Sequence, residues 1–215
     1  IDESITLPEI KKINEIKIYR TYYDLEIAKK FKKEWDITQK SNPHLEQIIY
    51  DDDMIEDFII NNYSKRIYNA YKNINPKYGP ARADFFRYLI IYKYGGVYLD
   101  IKSYIKKNID DEINENKLIV SKGNTHYYPY HFGMFNQNSN KYNWEFFSGV
   151  KKFGEYNNWH IIAPAGNEVL GKLIKQIVSN IEYGIKNKNK YNNGEYSVLA
   201  LTGPIMYSRV ILKYG

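Results

Sequence analysis

An α/β fold built on one largely parallel central sheet flanked by helices is what this sequence predicts, and three features predict it. Short runs of strand formers alternate with a helix-spaced apolar stretch, in the order 17–23, 25–35 and 45–50. A helix lying between two strands in this way implies a right-handed parallel crossover. Further on, a helix opening at Gly79-Pro80 stops at the tandem Gly95-Gly96 and leads directly into Val97-Tyr98-Leu99, a strand that delivers Asp100 to its carboxyl end. Ligands of such sheets collect at the carboxyl ends of the strands.

Taken in order, residues 1–15 read as a helical or irregular lead-in. Lys17-Ile18-Tyr19-Arg20-Thr21-Tyr22-Tyr23 alternates and is rich in strand formers. Leu25, Ala28, Phe31 and Trp35 recur at helical spacing and predict the first crossover helix, with a turn at Asn42-Pro43 before the second strand. Asp53 with Glu56 reads as the cap of a helix beginning at Met54-Ile55, and Asp51-Asp52-Asp53 favours its amino end; a metal site is the other reading of the triple acid. Residues 61–77 form a polar lead into the central helix. There Phe85, Phe86, Leu89 and Ile90 make an apolar stripe, while Asp84 and Arg87, three apart, share a neighbouring face. Such a pair is a solvated surface pair or a functional one.

Beyond Asp100, residues 109–116 read as a loop or single helical turn and 118–120 as a short strand. The stretch 123–143 has neither periodicity, and its length suggests a functional loop on the acceptor side. Its His126 and His131, five apart, share no face of a helix or strand and read as surface residues. Val169, Leu170, Leu173, Ile174, Ile177, Val178 and Ile181 face the core from a helix over 168–183. A solvated loop follows over 184–194, and Thr202-Gly203-Pro204 opens a last helix whose free amide groups can line an anion or sugar pocket.

With 215 residues, 43% hydrophobic and 26% charged, the chain can bury one full core and reads as a single domain over 1–215. It lacks any run of eighteen apolar residues, and Ile1-Asp2-Glu3-Ser4 has no leader pattern, so a soluble, cytoplasmic domain without a membrane span is expected. Zero cysteines exclude a disulfide framework, a thiolate metal site and a cysteine nucleophile. A net charge of +6 suits an anionic ligand. The 23 tyrosines among the lysines suggest a nucleic-acid surface, but both residue types are spread along the chain and no nucleic-acid motif is present, which argues against that partner.

The run from Ala81 to Asp100 resembles the sugar-binding region of the retaining glycosyltransferases that include the yeast-type initiating α-1,6-mannosyltransferase, and is similar in pattern to the glucosylating toxins. In that family a helix of the form A-x-x-D-x-x-R precedes Y-G-G-x-Y-x-D-x-D, which ends in the Asp-x-Asp motif. Asp84, Arg87 and Asp100 fall on matching positions. The resemblance implies a GT-A glycosyltransferase fold, Rossmann-like, and transfer of a sugar from a nucleotide sugar, UDP- or GDP-linked, to a glycan, lipid or protein hydroxyl with retention of configuration. A divalent cation, Mn²⁺ or Mg²⁺, is implied at Asp100. The family often continues past the last helix, where its carboxyl end can supply further metal or phosphate contacts.

Weaker likenesses extend the set. Residues 17–23 resemble the family's first strand, whose end lies near the nucleobase, which makes Tyr19, Arg20, Thr21 and Tyr22 candidate donor contacts. A base stacks on Tyr22, or Tyr22 packs beside the sheet. Asn158 matches a family asparagine suited to sugar hydroxyls, unless it only ends a turn, and Thr202 and Gly203 match a T-G-P element. One departure stands out: the chain reads Asp100-Ile101-Lys102 where the family usually carries a second aspartate. A protonated lysine does not ligate a cation. Either Lys102 meets the diphosphate directly as a point charge, or Asp100 holds the metal with other ligands and Lys102 points away. A non-catalytic sugar- or nucleotide-binding module derived from a transferase scaffold is the alternative function.

Overall fold

The computed structural model describes residues 1–10, 15–122, 155–186 and 201–215. A four-stranded sheet, β1 (Lys17–Thr21), β2 (Glu46–Tyr50), β3 (Gly96–Leu99) and β4 (His160–Ala163), has the order β2-β1-β3-β4. The first three strands run parallel and β4 pairs antiparallel with β3, so the largely parallel sheet expected from the sequence is observed.

The first crossover is a broken helix. Asp24 accepts from the Ile27 amide to start α1 (Leu25–Ala28), a 3-10 turn follows over Lys29–Phe31, and α2 (Lys32–Ser41) completes the connection. After β2 come α3 (Asp52–Asn62), α4 (Lys65–Asn73) and the long α5 (Gly79–Tyr94). Then β3, α6 (Asp110–Asn114), β4, α7 (Glu168–Lys186) and α8 (Pro204–Tyr214) complete the described chain. None of the described helices is long and apolar enough to cross a membrane.

Strand alternation sorts the core into two layers. On one face, Tyr19 and Tyr98 join Phe85, Phe86, Leu89, Leu173, Ile177 and Tyr207 in a large cluster beneath α3, α4, α5, α7 and α8. On the other, Ile18, Val97 and Leu99 pack with Leu45, Ile109 and Ile162. Packed between the sheet and α7, α5 buries Ala81 and every side chain from Asp84 to Ile91, Asp84 and Arg87 among them. The expected stripe of Phe85, Phe86, Leu89 and Ile90 is buried throughout, and the solvated reading of the charged pair is excluded, because Asp84 and Arg87 lie inside as well.

Tandem glycine is required where α5 gives way to β3. Gly95 and Gly96 have φ of 67° and 96°, and a Cβ on Gly96 would stand 2.6 Å from the Lys17 carbonyl oxygen. The close approach lets β3 enter the sheet beside β1 one residue after the helix ends.

Three other expectations change. Asp51, not Asp53, caps α3, accepting from the Met54 amide at 2.8 Å, so the helix begins two residues earlier, at Asp52. The polar stretch 61–77 contains α4, whose Ile67, Ala70 and Tyr71 are buried at helical spacing. Within 118–120 only a single bridge forms, Ile119 to Ile162. Residues 123–143, with His126 and His131, and most of 184–194 lie outside the described residues.

Candidate active site

Asp100 follows β3 directly, and its backbone N–H donates to the Trp159 carbonyl at 2.8 Å, which carries the ladder one step past the strand. Its side chain shares a face with Tyr98, two residues back, and that face looks toward α5. Arg87 reaches from α5 to meet it. The Arg87 Nη2 lies 3.1 Å from Asp100 Oδ1 and 3.2 Å from Asp84 Oδ1, so one guanidinium joins two carboxylates. Tyr98 supports the junction twice: its hydroxyl donates to Asp100 Oδ1 at 3.1 Å, and its ring lies 4.6 Å beneath the guanidinium carbon.

Two distant segments close the network. Arg87 Nη1 donates to the Asn158 carbonyl at 2.6 Å, and Asn158 Nδ2 donates to Asp84 Oδ1 at 3.0 Å and to the Tyr88 hydroxyl at 2.9 Å. Thr202 Oγ1 donates to Asp84 Oδ2 at 3.3 Å, while the Tyr88 hydroxyl donates to the Thr202 carbonyl. Asp84, Arg87, Asn158 and Thr202 are all buried. Asp100 is different: its side chain is 38% exposed, and its second oxygen has no hydrogen-bond partner among the described residues. The site is thus a buried, hydrogen-bonded floor with one carboxylate at its open edge.

Electrostatics follow from this burial. Desolvation opposes the charge on Arg87, but Asp100, Tyr98 and Asp84 outweigh it and hold the guanidinium above its ordinary value. Burial, opposed by Arg87 and reinforced by the charge of Asp100, pushes the Asp84 carboxyl up to about 6. A carboxyl with a higher pKa folded than unfolded binds its proton more tightly in the native state. The stability it contributes is complete below the ordinary 3.8 and is lost as the pH rises through about 6. Asp84→Asn is accordingly expected to flatten the fall in unfolding free energy across that window, as read from urea titrations at several pH values. Glu155, pushed up to about 7 by burial, adds a slope of the same sign, so the difference between variant and parent is the readout. An identical slope in both proteins would contradict the assignment.

The candidate residues from the first strand separate by strand parity. Tyr19 is in the core, between Tyr50 and Tyr94. Arg20 points to the opposite face from Arg87 and is fully buried, with its guanidinium committed to protein: Nε and Nη2 donate to Gln47 Oε1, Nη2 also to Thr38 Oγ1, and Nη1 to the carbonyls of Asp100 and Ser103. Direct donor contact by Arg20 is therefore corrected to a positioning role beneath the turn that carries Asp100. Thr21 donates its hydroxyl to the Tyr50 carbonyl, again within the sheet. Tyr22 is the residue of this group at the mouth, half-buried against Tyr23 and Phe31. Gly203 stands at the amino end of α8, beside Thr202.

Residues that sequence reasoning missed include Tyr88, Tyr98, Trp159 and His160. The two-residue step from Tyr98 to Asp100 is a signal that strand alternation offers. Trp159 is 41% exposed beside Asp100, with the His160 ring 4.1 Å away. Burial pushes His160 below its ordinary pKa, with the charge of Asp100 opposing, and its Nδ1 is buried without a hydrogen-bond partner.

A divalent cation needs several oxygen ligands. Among the described residues no group of three His, Asp or Glu side chains is disposed to hold one, Asp84 is enclosed by Arg87, Asn158 and Thr202, and Lys102 stands where a second carboxylate is usual. The described residues therefore do not fit a cation held by protein side chains alone, Asp100 being the one carboxylate of the network that is partly exposed.

A largely parallel sheet with an antiparallel fourth strand, carrying an Asp–Arg–Asp charge chain under the carboxyl end of β3, is the GT-A type of glycosyltransferase fold. The solved structure of the PaToxG glycosyltransferase superposes with a TM-score of 0.57 at 16% identity, covering 93% of this chain and 69% of that one, which is a likeness of fold. Residues 28–119 match the sequence model of the family described as glycosyltransferase sugar-binding region containing DXD motif, so the resemblance expected from the sequence holds. Inositol phosphoceramide mannosyltransferase 3 of Schizosaccharomyces pombe is 31% identical over 115 residues, 51% of this chain and 28% of the relative. The initiation-specific alpha-1,6-mannosyltransferases of S. pombe and Candida albicans are each 25% identical, over 89% and 86% of this chain and 46% and 47% of their own lengths. The chain spans less than half the length of these curated relatives.

Proposed function

We propose that this chain transfers a sugar from a nucleotide-sugar donor to a hydroxyl acceptor, with retention of anomeric configuration. The observation that carries the reading is Arg87 held between Asp84 and Asp100, with an Asp100 oxygen left available at the carboxyl end of β3. In the transfer, the bond from the anomeric carbon to the diphosphate breaks and a bond to the acceptor oxygen forms, with the acceptor proton passing to the departing phosphate. What the protein supplies is position and charge: Asp100 accepts from sugar or ribose hydroxyls, and the Arg87 floor holds that carboxylate in place. No residue is assigned as a covalent nucleophile. The names of the curated relatives make mannose the first sugar to test, with GDP- and UDP-linked donors both included.

The test is a thermal-shift screen of nucleotide sugars followed by donor hydrolysis without acceptor. A donor that binds the native state selectively raises the melting temperature. One nucleotide sugar is expected to stabilise the protein and to release its diphosphate slowly in water. Stabilisation without any release or transfer would favour a non-catalytic binding module, the reading that Lys102 at the second motif position supports. No stabilisation by any nucleotide sugar would count against both.

A further inference from the structure

We propose that Lys30 and Lys102 together receive the donor diphosphate, so that the nucleotide binds without a metal ion. The proposal rests on the nucleotide-sugar reading above and names how that site takes its phosphates.

Lys102 occupies the third position of a tight turn in which the Ser103 amide donates to the Asp100 carbonyl at 2.9 Å. Arg20 fastens this turn from below through the same Asp100 carbonyl and that of Ser103, at 3.0 and 2.9 Å. The Ile105 amide then donates to Thr38 Oγ1 on α2. A backbone held at three points presents Ile101 inward, buried, and Lys102 outward, exposed, two residues from Asp100.

Lys30 comes to the same place from the 3-10 turn after β1. Its ammonium lies 5.0 Å from the centre of the Phe31 ring and that of Lys102 lies 5.9 Å from it. Lys30 also lies 5.3 Å from the centre of Tyr22, whose ring is 4.6 Å from Tyr23. Two positive charges thus gather on one aromatic ring at the mouth of the sheet. Their neighbours behave otherwise: Lys29 pairs with Glu26 and Lys32 with Asp36, whereas neither Lys30 nor Lys102 has a carboxylate at ion-pair distance among the described residues. The Tyr22 hydroxyl is held below the ordinary phenol value first by its hydrogen bond with Lys30, against desolvation, then by the charge of Lys30 and a hydrogen bond with Tyr23, and last by the charge of Lys102.

Two lysines bring the same charge as one divalent ion. Neither ammonium is matched by a carboxylate among the described residues, and a diphosphate reaching both accepts charge-assisted hydrogen bonds from each. Tyr22 and Tyr23 lie beside them as a surface for a base. The absence of a second carboxylate at position 102 then ceases to be a defect, because the residue standing there supplies positive charge directly.

Calorimetric titration of UDP and GDP into the full chain, in EDTA and in Mn²⁺, tests this. One of the two nucleotides is expected to bind in EDTA, with an affinity that Mn²⁺ changes by less than about threefold and that falls as salt is raised. Lys30→Gln and Lys102→Gln should each weaken that nucleotide roughly tenfold, and the double variant roughly a hundredfold, as loss of charge-assisted hydrogen bonds predicts. Affinity for the unphosphorylated nucleoside should be unchanged. Both side chains are exposed, so melting temperatures of the free variants should match the parent. Strict Mn²⁺ dependence, or lysine variants that bind as the parent does, would overturn the two-lysine site and leave sugar transfer standing. Failure of both nucleotides to bind, in EDTA and in Mn²⁺ alike, would remove both readings at once.

Discussion

Arg87→Met is expected to lower the unfolding free energy at pH 7 by about 3–5 kcal/mol, the cost of stripping the partner from a buried ion pair. Arg87 is 5% exposed and its guanidinium is the one cation bonded to both Asp84 and Asp100 among the described residues. Without it Asp84 has Asn158 and Thr202 as donors but no compensating charge, and burial drives its carboxyl further up. The variant should therefore recover part of its lost stability as the pH is lowered from 7 toward 5, because a proton then neutralises the stranded carboxylate. Arg87→Lys retains charge but does not span Asp84, Asp100 and the Asn158 carbonyl together, and should lie between parent and Met variant. Urea denaturation at pH 7 and pH 5 measures all three. A loss below about 1 kcal/mol in Arg87→Met would show that the network contributes little to the fold.

Asp100→Asn should have the opposite profile. Its side chain is 38% exposed, and an amide oxygen still accepts from Arg87 and Tyr98, so stability should move by less than about 1 kcal/mol. What disappears is the carboxylate charge at the open edge of the site. Transfer, measured as kcat/KM with the donor found by the screen, should fall roughly 10²- to 10³-fold, the scale of losing one electrostatic contact to a transition state. Because Arg87 remains, a folded but inactive protein is the expected outcome. Unchanged turnover would remove Asp100 from the chemistry. Together the two variants separate the floor of the site, which holds the protein together, from its edge, which meets the ligand.

Much of this floor and edge is legible from short-range pattern. The proline that starts α5, the glycine pair that ends it and the apolar strand that follows act over a few residues, so the positions of Asp84, Arg87 and Asp100 in their elements follow from the chain itself. The asparagine at position 158 and the threonine at 202 were reached by resemblance, and the structure brings both onto Asp84. Tyr22 and Lys102 fall at the mouth, whereas Tyr19, Arg20 and Thr21 are held within the sheet or under it.

The sequence by itself determined the α/β order, the crossover, the helix–glycine–strand joint and the charged triad it carries, because periodicity, capping and φ preferences are local properties. Only the tertiary structure decided which face of β1 meets α5. That choice sends Arg20 away from Arg87 and makes it the fastening of the Asp100 turn. It also decided that Asp84 and Arg87 are buried instead of solvated, since α7 and α8 close over a helix whose own pattern leaves that side open. The meeting of Lys30 with Lys102 on one ring is of the same kind, for 72 residues of chain separate them and no local rule links a turn after β1 to a turn after β3.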